Sequence, residues 1–125
     1  MQIQILKSKL HMARVTEIRP QYEGSLSVDS HLLQVAGILP YERVLCSNLS
    51  NGERFETYAI PAAPGSGEVI LNGPAALLGK PGDRLVVMCF TIISQDEAKN
   101  WTPTCVVLDE NNRPVQITGP KHSTK

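Results

Sequence analysis

Apolar and polar residues alternate in short runs along this chain, and Gly, Pro, Asn or Asp bounds each run. The runs 13–18, 25–28, 43–48, 54–60, 68–71, 84–93, 104–108 and 114–118 are rich in Val, Ile, Leu and Thr and are read as strands. Asn51-Gly52 stands between two of them and predicts a type I′ hairpin, because both residues tolerate positive φ. Helices are expected to be few. Asp29 can cap a segment over 30–36 that places Leu32, Leu33 and Ala36 on one face, with Gly37 as its left-handed stop. Ser94 and Glu97 have the spacing of a capping box. Short strands with little helix predict an all-β chain closed into a small barrel, since closure removes exposed sheet edges. We expect one domain over 1–118 and a disordered tail over 119–125, where no apolar pattern survives.

Composition narrows the classes of function. Lys plus Arg and Asp plus Glu number 12 each, so the net charge is zero and no global field holds a polyanion. No apolar run approaches the roughly 18 to 20 residues of a membrane span, and Met1 to Lys9 lacks the apolar core of a signal peptide, so a cytoplasmic protein is expected. Cys46, Cys89 and Cys105 are odd in number, widely spaced and set in apolar runs, which predicts buried reduced thiols. His11, His31 and His122 lack the spacing of a zinc-binding helix, and no metal site is expected.

The motifs reach further than composition. Lys9 and His11 precede the run Tyr22-Glu23-Gly24-Ser25. Arg54, Thr57 and Tyr58 follow inside an Asn-Gly-x-Arg-x-x-Thr-Tyr-Ala block from Asn51 to Ala59, and Asn72-Gly73 opens an Asn-Gly-x-Ala block ending at Ala75. In this order and spacing the chain resembles the pyruvoyl-dependent aspartate 1-decarboxylases over nearly its whole length. The resemblance implies a double-psi β-barrel, a homotetramer with sites between subunits, and conversion of L-aspartate to β-alanine and carbon dioxide for pantothenate and coenzyme A biosynthesis. It also implies self-cleavage between Gly24 and Ser25 into a β chain (1–24) and an α chain (25–125), with Ser25 becoming a covalent pyruvoyl cofactor.

The Gly24-Ser25 pair suits that chemistry. Glycine admits unusual backbone angles and leaves its carbonyl open, and the neighbouring serine hydroxyl can attack it. A pyruvoyl ketone then condenses with an amine to an imine that accepts electrons as carbon dioxide leaves. By resemblance, Arg54 and Lys9 are the counter-ions of the aspartate carboxylates, Tyr58 is the proton donor, and Thr57 hydrogen-bonds the Gly24 carbonyl and later the substrate. Asn72 with the Gly73 amide stabilises the same oxyanion. The family commonly has alanine where this chain has Pro74. Proline has no backbone N–H, so substrate-binding amides there must come from Gly73 and Ala75. His11 receives no role. Strict alternation sets Arg54, Glu56 and Tyr58 on one face of their strand and Phe55, Thr57 and Ala59 on the other. One site using both sets needs either neighbouring sites shared between subunits or a bulge. Two other readings remain: a noncatalytic barrel module for binding, and a serine hydrolase on Ser25, which lacks a G-x-S-x-G context.

Overall fold

The structure, a computed structural model, describes residues 1–120. Nine strands run in chain order: β1 (Gln2–Arg14), β2 (Glu17–Arg19), β3 (Ser25–Asp29), β4 (Arg43–Asn48), β5 (Arg54–Ala62), β6 (Val69–Asn72), β7 (Arg84–Ser94), β8 (Thr104–Leu108) and β9 (Pro114–Thr118). They form one mixed sheet in the order β2-β6-β3-β5-β4-β7-β1-β8-β9. Two short helices, α1 (Ser30–Ala36) and α2 (Gln95–Ala98), and a 3₁₀ helix (Gly73–Leu78) complete the fold.

The connection from β1 to β2 forces the sheet to curl. These are its seventh and first strands, yet only Val15 and Thr16 separate them in sequence. Val15 N donates to Asp83 O and Thr16 N to Val69 O, both at 2.8 Å, which ties the link to both halves. Asn112 fastens the same seam: its Nδ2 donates to Arg14 O and Gly67 O, and its Oδ1 accepts from Arg14 N. Among the described residues no ladder joins β9 to β2, so the barrel is curled but not closed by hydrogen bonds as the sequence reading expected. The backbone bonds at Val15 and Thr16, the Asn112 side chain and the core hold the seam instead.

One row across the sheet shows where the core lies. Phe55, Cys46, Val87, Leu10, Val106 and Ile117 are successive register partners on β5, β4, β7, β1, β8 and β9. The four central members are 0% exposed. Full burial of each such aliphatic side chain contributes about 1.5–3 kcal/mol. β1 keeps this inward phase through two bulges, at Lys7 and at Met12, whose φ is 70°. The second bulge lets Ala13 rather than Met12 take the next core position. The bulges also hid β1 from its alternation, which had shown only residues 13 and 14.

Local signals behave as their chemistry dictates at α1 and α2. Asp29 accepts from His31 N, and Gly37 stops α1 at φ 76° with Ile38 N bonded back to Leu33 O. Ser94 and Glu97 form the capping box. The Asn51-Gly52 turn differs from expectation. Only Gly52 has positive φ, Gly52 N donates to Asn48 O, and Asn48 N to Glu53 O, giving a wider four-residue loop. Asn51 spends its side chain on Glu53 N and Leu78 O, which draws the loop toward the 3₁₀ helix. Of the expected tail, Gly119 is buried against Thr104, and residues 121–125 lie outside the described ones. No described helix is long and apolar enough to cross a membrane.

Candidate active site

Ser25 opens β3 opposite Asn72 of β6, with φ at 138°. That region costs a residue bearing a Cβ on the order of 1–3 kcal/mol and persists only where the surroundings enforce it. The surroundings are specific. Gly73, at φ 60°, lies so close that a Cβ there would stand 2.8 Å from Gly24 Cα and 3.0 Å from Tyr22 O. The Pro74 ring presses on Gly24 from the same side, with Cδ 3.4 Å from where a Gly24 Cβ would sit. The Ser25 hydroxyl is buried and has no hydrogen-bond partner among the described residues, so none of them competes for its lone pairs.

The carbonyl beside it is held by a donor the sequence reading assigned elsewhere. Tyr58 Oη donates to Gly24 O at 2.9 Å, where Thr57 had been expected. Thr57 lines the same 260 Å³ cleft, together with Gly24, Ser25, Tyr58, Asn72, Pro74 and Ala75. Phe55, Glu56 and Leu78 complete the lining and were not singled out from sequence. Asn72 is fully buried; its Nδ2 donates to Ser27 Oγ at 2.9 Å, and its Oδ1 has no partner among the described residues.

A free strand edge lets both faces of β5 contribute. β3 pairs with β5 only from Ala59 onward, whereas β4 covers Arg54 to Tyr58 on the other side in unbroken register. No bulge interrupts that register, so the alternation stands: Arg54, Glu56 and Tyr58 are exposed, and Phe55 and Thr57 turn inward. At the uncovered edge Tyr58 reaches the Gly24 carbonyl from the outer face while Thr57 meets the cleft from the inner one.

Lys9, His11 and Arg54 lie elsewhere, on the outer face. Arg54, Ser47, Val86 and His11 form one outward row, and Glu56, Leu45, Met88 and Lys9 the next. Lys9 is three strands from β5, roughly 14 Å at about 4.8 Å per strand, and does not line the cleft within one chain. Neither Arg54 nor Gly73 lines it directly; Gly73 acts through its contact with Gly24. His11 Nδ1 is buried and has no partner among the described residues. Cys46 and Cys89 are buried; burial pushes the Cys46 thiol up to about 12 and raises that of Cys89 as well. Cys105 is only half-buried, because its side chain shares the outward row of Lys9. Among the described residues no group of three or more His, Cys, Asp or Glu could hold a metal ion.

Comparison with known proteins gives one answer. Residues 1–115 match the family model described as aspartate decarboxylase. The aspartate 1-decarboxylase of Campylobacter jejuni strain RM1221 is 49% identical over 118 residues, which is 94% of this chain and 93% of the relative. The protein of the same name from Prosthecochloris aestuarii is 47% identical over 91% of this chain and 88% of its own. That from Thermoanaerobacter pseudethanolicus is 44% identical over 94% of this chain and all of its own.

Proposed function

The chain belongs to the aspartate decarboxylase family, and on that premise we propose that it cleaves itself between Gly24 and Ser25 and then decarboxylates L-aspartate to β-alanine. In this reading it acts in the cytoplasm as a homotetramer and feeds pantothenate biosynthesis. The observation that carries it is the strained Ser25, whose unpartnered hydroxyl adjoins a carbonyl already bonded to Tyr58.

The chain's own atoms suffice for maturation apart from one water. Ser25 Oγ attacks the Gly24 carbonyl carbon, the Gly24–Ser25 C–N bond breaks as the nitrogen takes up a proton, and an ester replaces the amide. Loss of the Ser25 Cα proton then expels the Gly24 carboxylate and leaves dehydroalanine. Water hydrolyses its enamine, releasing ammonia and leaving a pyruvoyl group at the head of the 25–125 chain. Relief of the positive φ at Ser25 favours the first step. Gly73 and Pro74 hold the scissile peptide in place, and a hydrogen bond to the carbonyl stabilises charge developing on its oxygen.

The pyruvoyl group supplies an electron sink when a substrate amine is bound to it. The cleft fits such a group, since Ser25 sits at its base and Thr57, Asn72 and Ala75 surround it. Tyr58 stands at the cleft edge with its phenol positioned to return a proton to the substrate carbon. Arg54 offers a planar fork for a carboxylate from the outer face beside it, and Lys9 reaches a cleft only from a second copy of the chain. Without an N–H at Pro74, amide donors come from Gly73 and Ala75.

Intact mass spectrometry tests the reading. Two fragments are expected, 1–24 and a 25–125 chain lighter by ammonia than one beginning with free serine. Aspartate decarboxylation by a chain that stays whole would refute it.

A further inference from the structure

Tyr41 occupies a position that its backbone alone would give to glycine. Glu42 N donates to Leu39 O at 3.0 Å around Pro40-Tyr41, and Tyr41 has φ at 72°. Proline followed by positive φ is a type II turn, whose third residue is ordinarily Gly or Asn. Core burial does not account for the tyrosine either, because it is 74% exposed. Its ring instead lies beside Tyr58, with centroids 6.3 Å apart and planes tilted by 33°, within the range of favourable aromatic pairs.

The turn is anchored against movement on three sides. Tyr41 N donates to Ala59 O at 2.7 Å and Ala59 N to Glu42 O at 3.0 Å, which fixes the turn to the residue following Tyr58. The Glu42 carboxylate accepts Leu39 N and both of its oxygens accept Lys7 Nζ, at 2.9 and 2.7 Å. Lys7 is the residue of the first bulge in β1, and that bulge is what turns its side chain toward Glu42. A chain of contacts thus runs from Lys7 through Glu42 and Tyr41 to the tyrosine that touches Gly24.

We propose that Tyr41 is a positioning residue, and that its strained turn, clamped by Lys7 and Glu42, holds the Tyr58 ring at the cleft edge. The inference rests on the role given to Tyr58 above. It assigns no chemistry to Tyr41, whose hydroxyl is dispensable while its ring is not.

Two readouts judge it on the full-length chain. In uncleaved Ser25→Ala protein labelled with 3-fluorotyrosine, fluorine NMR gives one signal for each of the three tyrosines, and Tyr58→Phe identifies that of residue 58. Tyr41→Phe should leave the Tyr58 signal in place, and Tyr41→Gly, which also relieves the turn, should move it toward free fluorotyrosine. In mature protein Tyr41→Gly should lower kcat about tenfold with little change in KM, Tyr41→Phe should restore it, and the loss should vanish in a Tyr58→Phe background. Tyr41→Asn, which tolerates positive φ, replaces Tyr41→Gly if the latter fails to fold. An unmoved Tyr58 signal, or an equal loss of turnover with and without the Tyr58 hydroxyl, overturns the inference. If the mature protein does not act on aspartate at all, the functional reading falls, and the fluorine signals still decide the part played by Tyr41.

Discussion

Tyr58 and Gly24 are 34 residues apart in sequence and joined by one hydrogen bond of 2.9 Å, from the phenol to the carbonyl that precedes Ser25. On the proposed reading the same hydroxyl would stand over the bond to be broken before maturation and over the ketone afterward. The two uses can be separated. Tyr58→Phe keeps the ring and should still cleave, more slowly for want of the hydrogen bond to Gly24 O, because the positive φ at Ser25 and the contact with Gly73 remain. Its turnover of aspartate should fall by about 10² to 10⁴-fold, the usual worth of a positioned general acid. Cleavage time courses by mass, followed by kinetics on the processed protein, check both halves.

Strain at Ser25 can be weighed directly. Ser25→Ala and Ser25→Gly should both remain uncleaved, since each lacks the attacking oxygen. Glycine alone is at ease at φ 138°. Ser25→Gly should therefore be more stable than Ser25→Ala, by about 1 kcal/mol or more in urea unfolding. Equal stabilities would mean that the backbone at this position is relaxed.

Gly73→Ala places a methyl group 2.8 Å from Gly24 Cα at a φ of 60°. Backbone lies on the other side of that contact, so the Gly24 segment has to move. The variant should fold with a loss of about 1–3 kcal/mol and cleave far more slowly than the parent. Electrophoresis of freshly expressed protein shows the uncleaved band if this is right.

Arg54 stands on the outer face and does not line the cleft that holds Gly24 and Ser25. Arg54→Lys should mature normally and lose kcat/KM for aspartate, because a mobile ammonium replaces a fork that fixes a carboxylate. Unchanged kcat/KM on fully cleaved protein would leave Arg54 as a surface residue paired only with solvent.

Acid should loosen the frame around the cleft through two carboxylates. Burial opposes charge on Asp83, but hydrogen bonds from Asn48 Nδ2, Lys80 N and Lys80 Nζ outweigh it and hold the pKa below the usual 3.8. Burial likewise opposes charge on Asp29, and the amides of Gly67, Gly65 and His31 outweigh it. Both pKa values are depressed in the folded chain. Their stabilisation is present above about pH 3.8 and is lost as pH falls through the lower folded values. Thermal melting from pH 6 to pH 3 should drop, and Asp29→Ala, which strands three amides, should cost about 1–3 kcal/mol at neutral pH.

Much of this was legible where one local rule decides. β4, β8, β9 and α1 end where the sequence predicted, because Asn, Pro and Gly punctuate each; the register shift that skips Val115 in β9 moves neither end of its strand. β1 was not legible: its bulges at Lys7 and Met12 shift the alternation, and three outward polar residues, Lys7, Lys9 and His11, make the run look unlike a strand. Asn51-Gly52 misled because its asparagine side chain had a better use, bonding Glu53 N and Leu78 O.

The candidate site divides along the same line. The Gly24-Ser25 dipeptide and the blocks around Arg54 and Asn72 are contiguous, so they could be read as motifs. The separation of Lys9 from the cleft depends on strand order, which no local pattern contains. Tyr41 gave no signal, since a tyrosine after proline in a turn looks like an ordinary surface residue until its φ and its neighbour are known. The hydroxyl partner of Gly24 is likewise set by a free strand edge and not by the order of Thr57 and Tyr58.

β1 lies between β7 and β8, with register partners on both sides and its inward side chains fully buried. Cutting after Gly24 would leave this strand woven into the sheet with no covalent hold on it. Maturation would then turn a unimolecular fold into a noncovalent heterodimer whose pieces cannot part without global unfolding. A precursor that unfolds can find its own amino-terminal strand again; a matured molecule would have to recapture it from solution, at a rate set by concentration. The processed state would be durable because escape is slow and would have no ready route back once lost.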